Sequence, residues 1–232
     1  MSELTLEQAL DALLAHADPE RAMGMASYHK AMRTYLGTPN PAINDLVKDW
    51  RADLSLEDRL ALASALWETD IHEARVAAAK LLVQARIRPS DRAVWDLISS
   101  WVPQFDAWAI ADHVCSAGGR RVMAHLSRLD QIETWTRSEH LWTRRAALVI
   151  TLPLAHLNFP SPEQQAARER VLGWAADYAK DQSWFIQKAV AWWLRDLSKH
   201  DADRVRSFLD QHESVMKRFA VKEARKYLAP TR

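Results

Sequence analysis

The sequence predicts an all-α protein, a HEAT-like helical-repeat solenoid of stacked antiparallel helix pairs forming one domain over residues 1–232. Three observations carry this reading. Helix start and stop signals are dense, and no segment alternates apolar and polar residues with period two for long enough to make a strand. Only five glycines occur, and Val, Ile and Thr seldom run together, which disfavours sheet. A pattern of small residues beside a basic one recurs on alternate helices.

Taken in order, Thr5-Leu6-Glu7-Gln8 has the form of a capping box and opens a helix to about residue 17. Asp18-Pro19 and Asn40-Pro41 each set an N-cap residue before a first-turn proline, where the missing N–H has no helical partner to lose. Ser55 opens 56–68, Asp70 opens 71–86, and Pro89 starts 90–101. Pro103 begins a helix that Gly118-Gly119 ends as a glycine C-cap. Ser138 opens 139–157, which Pro153 should kink or shorten, because it lacks an N–H and its ring clashes with the preceding turn. Ser161-Pro162 opens 163–179, Ser183 opens 184–199, and Asp201 and Ser214 open the last two helices.

The repeat is weak but regular. Glu73-Ala74-Arg75-Val76-Ala77-Ala78, Trp142-Thr143-Arg144-Arg145-Ala146-Ala147, Phe185-Ile186-Gln187-Lys188-Ala189-Val190 and Val221-Lys222-Glu223-Ala224-Arg225-Lys226 are related. Ala146, Ala189 and Ala224 are 43 and 35 residues apart. A helix pair cannot bury its own apolar face, so the pairs stack, and their second helices are expected to line a concave surface.

Apolar residues make up 48% of the chain, enough for a packed core, and the eleven tryptophans must be mostly core or site. The net charge of +1 conceals an asymmetry. Residues 1–100 hold 11 Lys and Arg against 15 Asp and Glu, whereas residues 101–232 hold 20 against 15. A basic second half suggests a polyanion partner. The lone Cys115 excludes an intrachain disulfide. No signal segment or membrane-length apolar run is present, so the expectation is a cytoplasmic protein with no membrane contact.

Trp108 and Asp112 stand four residues apart, on one face of a helix. A second helix carries Lys188, Trp192 and Arg195 on one stripe, and Trp193 points elsewhere. A carboxylate, indoles and guanidinium groups suit a cationic, sugar-based transition state held against a polyanion. Each residue also has a plainer reading: Trp108 as core, Asp112 as a solvated or ion-paired carboxylate, Arg144-Arg145 as a salt-bridged face. There is no Gly-rich phosphate loop, no G-x-S-x-G and no H-E-x-x-H. The histidines lack paired metal spacing, and His113 points away from its neighbour Asp112, so no metal is expected.

These segments together resemble the HEAT-like-repeat DNA alkylation repair proteins, the AlkD-like DNA glycosylases. The resemblance runs over nearly the whole chain. It starts at Pro19-Glu20-Arg21-Ala22, Met25-Ala26-Ser27-Tyr28-His29-Lys30 and Tyr35-Leu36-Gly37, and continues at Leu66-Trp67-Glu68. Trp108-Ala109-Ile110-Ala111-Asp112 fits the family's W-x-x-x-D, and Trp142-Thr143-Arg144-Arg145-Ala146-Ala147 fits its W-x-x-R-A-A. The most specific match is Phe185-Ile186-Gln187-Lys188-Ala189-Val190-Ala191-Trp192 with Leu194-Arg195. Ala107, Ala109 and Trp193 depart from the usual pattern. The resemblance implies a monomer that excises cationic alkylated purines from double-stranded DNA in base excision repair, without a cofactor. Asp112 would be the catalytic carboxylate, with Trp108 and Trp192 as walls around the lesion's deoxyribose. Tyr28, Arg144, Arg145, Lys188, Arg195, Arg120 and Arg121 would contact the DNA. The alternatives are a non-catalytic binder of damaged or branched DNA and a HEAT-type protein scaffold.

Overall fold

The computed structural model describes residues 4–228. Among them no β-strand forms, and the one isolated bridge joins Thr34 to Ile71. The chain divides into two compact units, Met1–Arg120 and Arg121–Arg232. Both are built from packed helices, as the sequence predicts.

The first unit contains α1 (Leu6–Leu14), α2 (Pro19–His29), α3 (Asn40–Asp53), α4 (Leu56–Glu68), α5 (His72–Leu81), α6 (Arg92–Trp101) and the start of α7 (Trp108–Ala124). Helix α5 is its centre and packs on α1, α3 and α4. Its alanines let these neighbours approach closely, and Ala74, Ala77, Ala78 and Ala79 are fully buried. A second core element is the pair Trp67 and Trp101, stacked at 4.3 Å, with the Arg75 guanidinium 4.7 Å from the Trp67 ring. The Trp67 indole N–H donates to Gln104 at 2.8 Å, which satisfies the polar edge of a buried ring.

The second unit contains α8 (Leu129–Trp135), α9 (Leu141–Val149), α10 (Leu152–Ala155), α11 (Pro162–Tyr178), α12 (Trp184–Leu197), α13 (Ala202–His212) and α14 (Arg218–Ala224). Helix α12 is central and touches α9, α10, α11, α13 and α14. Buried polar side chains tie the loops to these central helices. Gln187 on α12 is completely buried, and its amide donates to the carbonyls of Tyr178, Ala179 and Asp181 while accepting from the Lys217 N–H. One side chain thus ends α11 and starts α14. Arg144, 43 residues earlier on α9, plays a similar part, donating to the carbonyls of Ser138 and Glu139. In the first unit Glu73 accepts from the N–H groups of Leu36 and Gly37.

Gln187→Leu is expected to cost about 3 kcal/mol, because it strands the half-buried Lys217 N–H and the carbonyls of Tyr178, Ala179 and Asp181. The urea midpoint reads this, and an unchanged midpoint would refute the clamp.

Several helix starts follow the sequence reading. Thr5 and Ser161 close capping boxes, and Asp18, Ser55 and Asp201 cap their helices through the side chain. Pro153 acts as expected: α9 stops at Val149 and Pro153 lies in the first turn of the short α10. Other starts are corrected. Asn40 is the first residue of α3, with Pro39 at the cap. Asp70 does not cap α5; it adopts φ 52° and pairs with Arg75 at 3.1 Å, and the helix runs only from His72 to Leu81. Helix α6 starts at Arg92, two residues late. Ser138 accepts from the His140 N–H, which delays α9 to Leu141. Ser214 lies in a short 3-10 turn, and α14 starts at Arg218. Helix α7 runs straight through Gly118-Gly119, both buried within it, so these glycines are not a C-cap.

Candidate functional site

Trp108 is the first residue of α7, preceded by the 3-10 turn Val102–Gln104 and the buried Phe105. Asp112 follows one turn later. Both side chains are half-buried. Trp108 is therefore not a core residue like Trp67 or Trp101. Its ring meets two side chains from the end of α2: Tyr28, edge-on at 6.0 Å, and His29 at 5.5 Å. Tyr28 is 69% exposed, so the Tyr28–Trp108 pair presents aromatic surface outward. An aromatic pair of this kind offers quadrupole faces to a cation.

Behind this pair lies a column of stacked rings. His29 and His72 are 4.9 Å apart, and Tyr35 lies 6.0 Å from His29 and 5.1 Å from His72. The Arg33 guanidinium, almost wholly buried, pairs with Asp106 two residues before Trp108 and lies 3.6 Å from Asp70. Burial, then the neighbouring His29, Arg33 and His113, hold His72 down at about 3. Burial and Arg33 also lower His29. The column is uncharged near neutrality.

This has a measurable consequence. An unfolded histidine takes up a proton near pH 6.5, but folded His72 does so only at about 3. Its depressed value leaves stability intact above pH 6.5 and erodes it as the pH falls from there toward 3. At pH 5 the share from His72 is about 2 kcal/mol, or roughly 4–8 °C in Tm. His72→Phe should flatten that part of the pH profile; an equally steep profile in the variant would contradict a neutral His72.

In the second unit Trp193 is fully buried and Trp192 is half-buried, which settles which of the two reaches the surface. The Trp192 indole N–H donates to Asp196 at 2.9 Å. Burial pushes the Asp196 carboxyl up, but hydrogen bonds from His156 and Arg195 and the charges of Arg195 and Lys199 outweigh it and hold it well below the usual carboxylate range. Arg195 pairs with Glu223 as well as Asp196. Arg144 is half-buried, with Asp181 at 3.6 Å in addition to its two carbonyl acceptors.

The expected DNA-contact residues therefore separate. Tyr28, Lys188 and Arg120 are exposed, and the Lys188 ammonium lies 5.2 Å from the Trp184 ring. Arg144 and Arg195 are committed to protein partners. Arg145 is 4% exposed, with its guanidinium 5.9 Å from the Trp142 ring. Arg121 is fully buried, which corrects the reading of it as a phosphate contact. Sequence reasoning missed His29, whose ring touches Trp108, and the half-exposed Trp184, whose ring stacks on Phe219 at 5.6 Å. No group of three or more His, Cys, Asp or Glu among the described residues could hold a metal ion. Among the described residues no helix is long and apolar enough to cross a membrane.

Packed helix pairs, with a half-buried indole one turn from a half-buried carboxylate, define a helical-repeat protein with a candidate aromatic–carboxylate site. The chain belongs to the DNA alkylation repair enzyme family, whose model matches residues 9–228. A search of curated proteins returns no match. Among solved structures, the chain is similar to a protein of Enterococcus faecalis described as a predicted DNA alkylation repair enzyme. The two share 26% identity over 93% of this chain and 98% of that one, with a TM-score of 0.75. It is also similar to AlkD2 from Streptococcus mutans, with 18% identity, coverage of 91% and 99%, and a TM-score of 0.61. A third is smu.31 from Streptococcus mutans UA159, with 21% identity, coverage of 82% and 92%, and a TM-score of 0.60. At these last two identities the likeness is one of fold.

Proposed function

We propose that this chain is a DNA glycosylase of base excision repair that removes positively charged alkylated purines, N7-alkylguanine and N3-alkyladenine, from duplex DNA. The observation that carries the reading is the half-exposed Asp112 one helical turn from Trp108, whose ring is flanked by the exposed Tyr28. Family membership supports repair of alkylated DNA as the setting.

The chemistry asks for little more than this. An N7-alkylated guanine already carries a positive charge, so it leaves with the electrons of the N-glycosidic bond and needs no proton from an acid. The barrier lies in the oxocarbenium-like sugar, as in glycoside hydrolysis. Asp112 stabilises that cation and accepts a proton from the water that attacks C1′. Trp108 and Tyr28 present ring surface to the cationic lesion, each contact worth roughly 0.5–2 kcal/mol. The exposed Lys188 and Arg120 are assigned as phosphate contacts. The products are the free base and an abasic site.

The test is release of 7-methylguanine or 3-methyladenine from alkylated duplex DNA by the wild-type chain, followed by chromatography of the free base. Release above the spontaneous rate supports the reading. Tight duplex binding with no release would instead identify a non-catalytic DNA binder.

A further inference from the structure

A cleft of about 710 Å³ in the first unit plays no part in the site above. Four of its lining residues are cations from three helices: Lys48 and Arg51 on α3, Arg59 on α4 and Lys80 on α5. His113 on α7 closes one side. No carboxylate lines the cleft, and none of the four cations is ion-paired to one among the described residues. Their acceptors are neutral: the Lys80 ammonium donates to Asn44 at 2.7 Å, and Arg59 donates to Gln84 at 2.8 Å and to the Ser55 carbonyl. The Arg51 Nε is buried with no hydrogen-bond partner. Everywhere else in this unit a buried guanidinium has a carboxylate beside it, as Arg33 and Arg75 do.

Gathering like charges without a counter-ion is unfavourable, and more so away from bulk water. Burial and then Arg51 lower the Arg59 value, and burial and then Lys80 hold His113 down at about 4. Such a set is complete only with an anion in it. Two guanidiniums favour an oxyanion that takes paired N–H donors, which is the geometry of phosphate. The cleft also abuts the site along α7. Ser116, which lines it, is four residues beyond Asp112 on the same helix face and roughly 6 Å further along the axis. That rise is comparable to one nucleotide step of a backbone.

We infer that this cleft is a phosphodiester-binding site that holds the DNA backbone next to the Trp108–Asp112 site. This rests on duplex DNA being the partner. The residues lie in the half of the chain whose net charge is negative, so the site is created by folding and not by a basic segment.

The test uses the full chain, fluorescence anisotropy on an undamaged and an N7-methylguanine duplex across several salt concentrations, and the double variant Arg51→Gln/Lys80→Gln. Binding to both duplexes should weaken equally, by about 10- to 100-fold, and the slope of log K on log salt should flatten by about two. Base release at saturating DNA should stay within about twofold of wild type. The variant should melt no lower than wild type, because repulsion is relieved; a merely structural role for these side chains would lower Tm. Unchanged affinity and salt slope in the variant would overturn the inference. Tripolyphosphate separates a small-anion site from a backbone site. If it raises the Tm of wild type but not of the variant while DNA affinity is the same in both, the cleft serves a free anion and the DNA assignment fails. If wild type binds no duplex at any salt, the reading of the partner fails before that of the cleft is reached.

Discussion

Asp112→Asn is expected to slow single-turnover release of 7-methylguanine by about a hundredfold, or about 3 kcal/mol of transition-state stabilisation. The amide keeps the size and planar shape of the carboxylate, so the half-buried position on α7 is filled as before. The negative charge facing the sugar cation is lost, and so is the acceptor for the attacking water's proton. Both act only as the glycosidic bond breaks. Affinity for the alkylated duplex should therefore move by less than threefold while the rate falls, which separates a transition-state role from a binding role. Trp108→Ala should differ in kind. It removes the ring against Tyr28 and His29 and so weakens lesion binding as well as rate. A neutral substrate, such as unmodified guanine, should remain untouched by either protein, since the leaving group then lacks its charge. If Asp112→Asn releases the base as fast as wild type, the carboxylate is not catalytic, whatever else the chain does.

The parts of the fold that could be read from sequence are those decided within one turn of chain. Thr5, Asp18, Ser55, Ser161 and Asp201 cap through bonds to a residue three positions on, so the signal and its partner sit in one window. Asp70 looks identical in sequence, yet its carboxylate is drawn to Arg75, and the start of α5 is held by the His72 N–H on the distant Thr34 carbonyl. Gly118-Gly119 carries a stop signal that α7 overrides by burying both residues inside the helix. The same division holds at the site. Trp108 and Asp112 are legible because four residues place them on one face. The state of each arginine is not, because it depends on long-range partners: Arg144 meets Asp181, Arg195 meets Glu223, and Arg121 is buried. The basic cleft is invisible for the converse reason. Lys48, Arg51, Arg59 and Lys80 are scattered through a stretch with an acidic balance, and only folding removes the neighbouring carboxylates from their company.

Gly37→Ala is expected to detach α2 and, with it, half of the aromatic pair at the site. Helix α2 contributes no fully buried residue, so apart from the ring contacts of Tyr28 and His29 at its end its packing on the unit is slight. It is held at its start by the turn before α3. The Asp18 N–H donates to the Leu36 carbonyl at 3.0 Å, and the fully buried Glu73 carboxylate takes the N–H groups of Leu36 and Gly37 at 2.9 and 2.8 Å. Gly37 has φ +79°, where an L side chain is strained, and a Cβ there would lie 2.0 Å from the Asp18 carbonyl oxygen and 2.9 Å from the Ala22 nitrogen. These obstacles are backbone atoms of α2 and its N-cap Asp18, so no rotamer change relieves them. The strain and the lost hydrogen bonds together should cost about 3 kcal/mol or more. The chain can avoid that cost by letting α2 go, which local unfolding permits for a helix so weakly packed. The expected signature is loss of amide-exchange protection and new protease cleavage within 19–29, with the amides of α12 unchanged. Because Tyr28 rides on α2 and meets Trp108, base release should fall about tenfold even though Gly37 touches nothing at the site. Wild-type protection across 19–29 in the variant would show that α2 is anchored by something other than this turn.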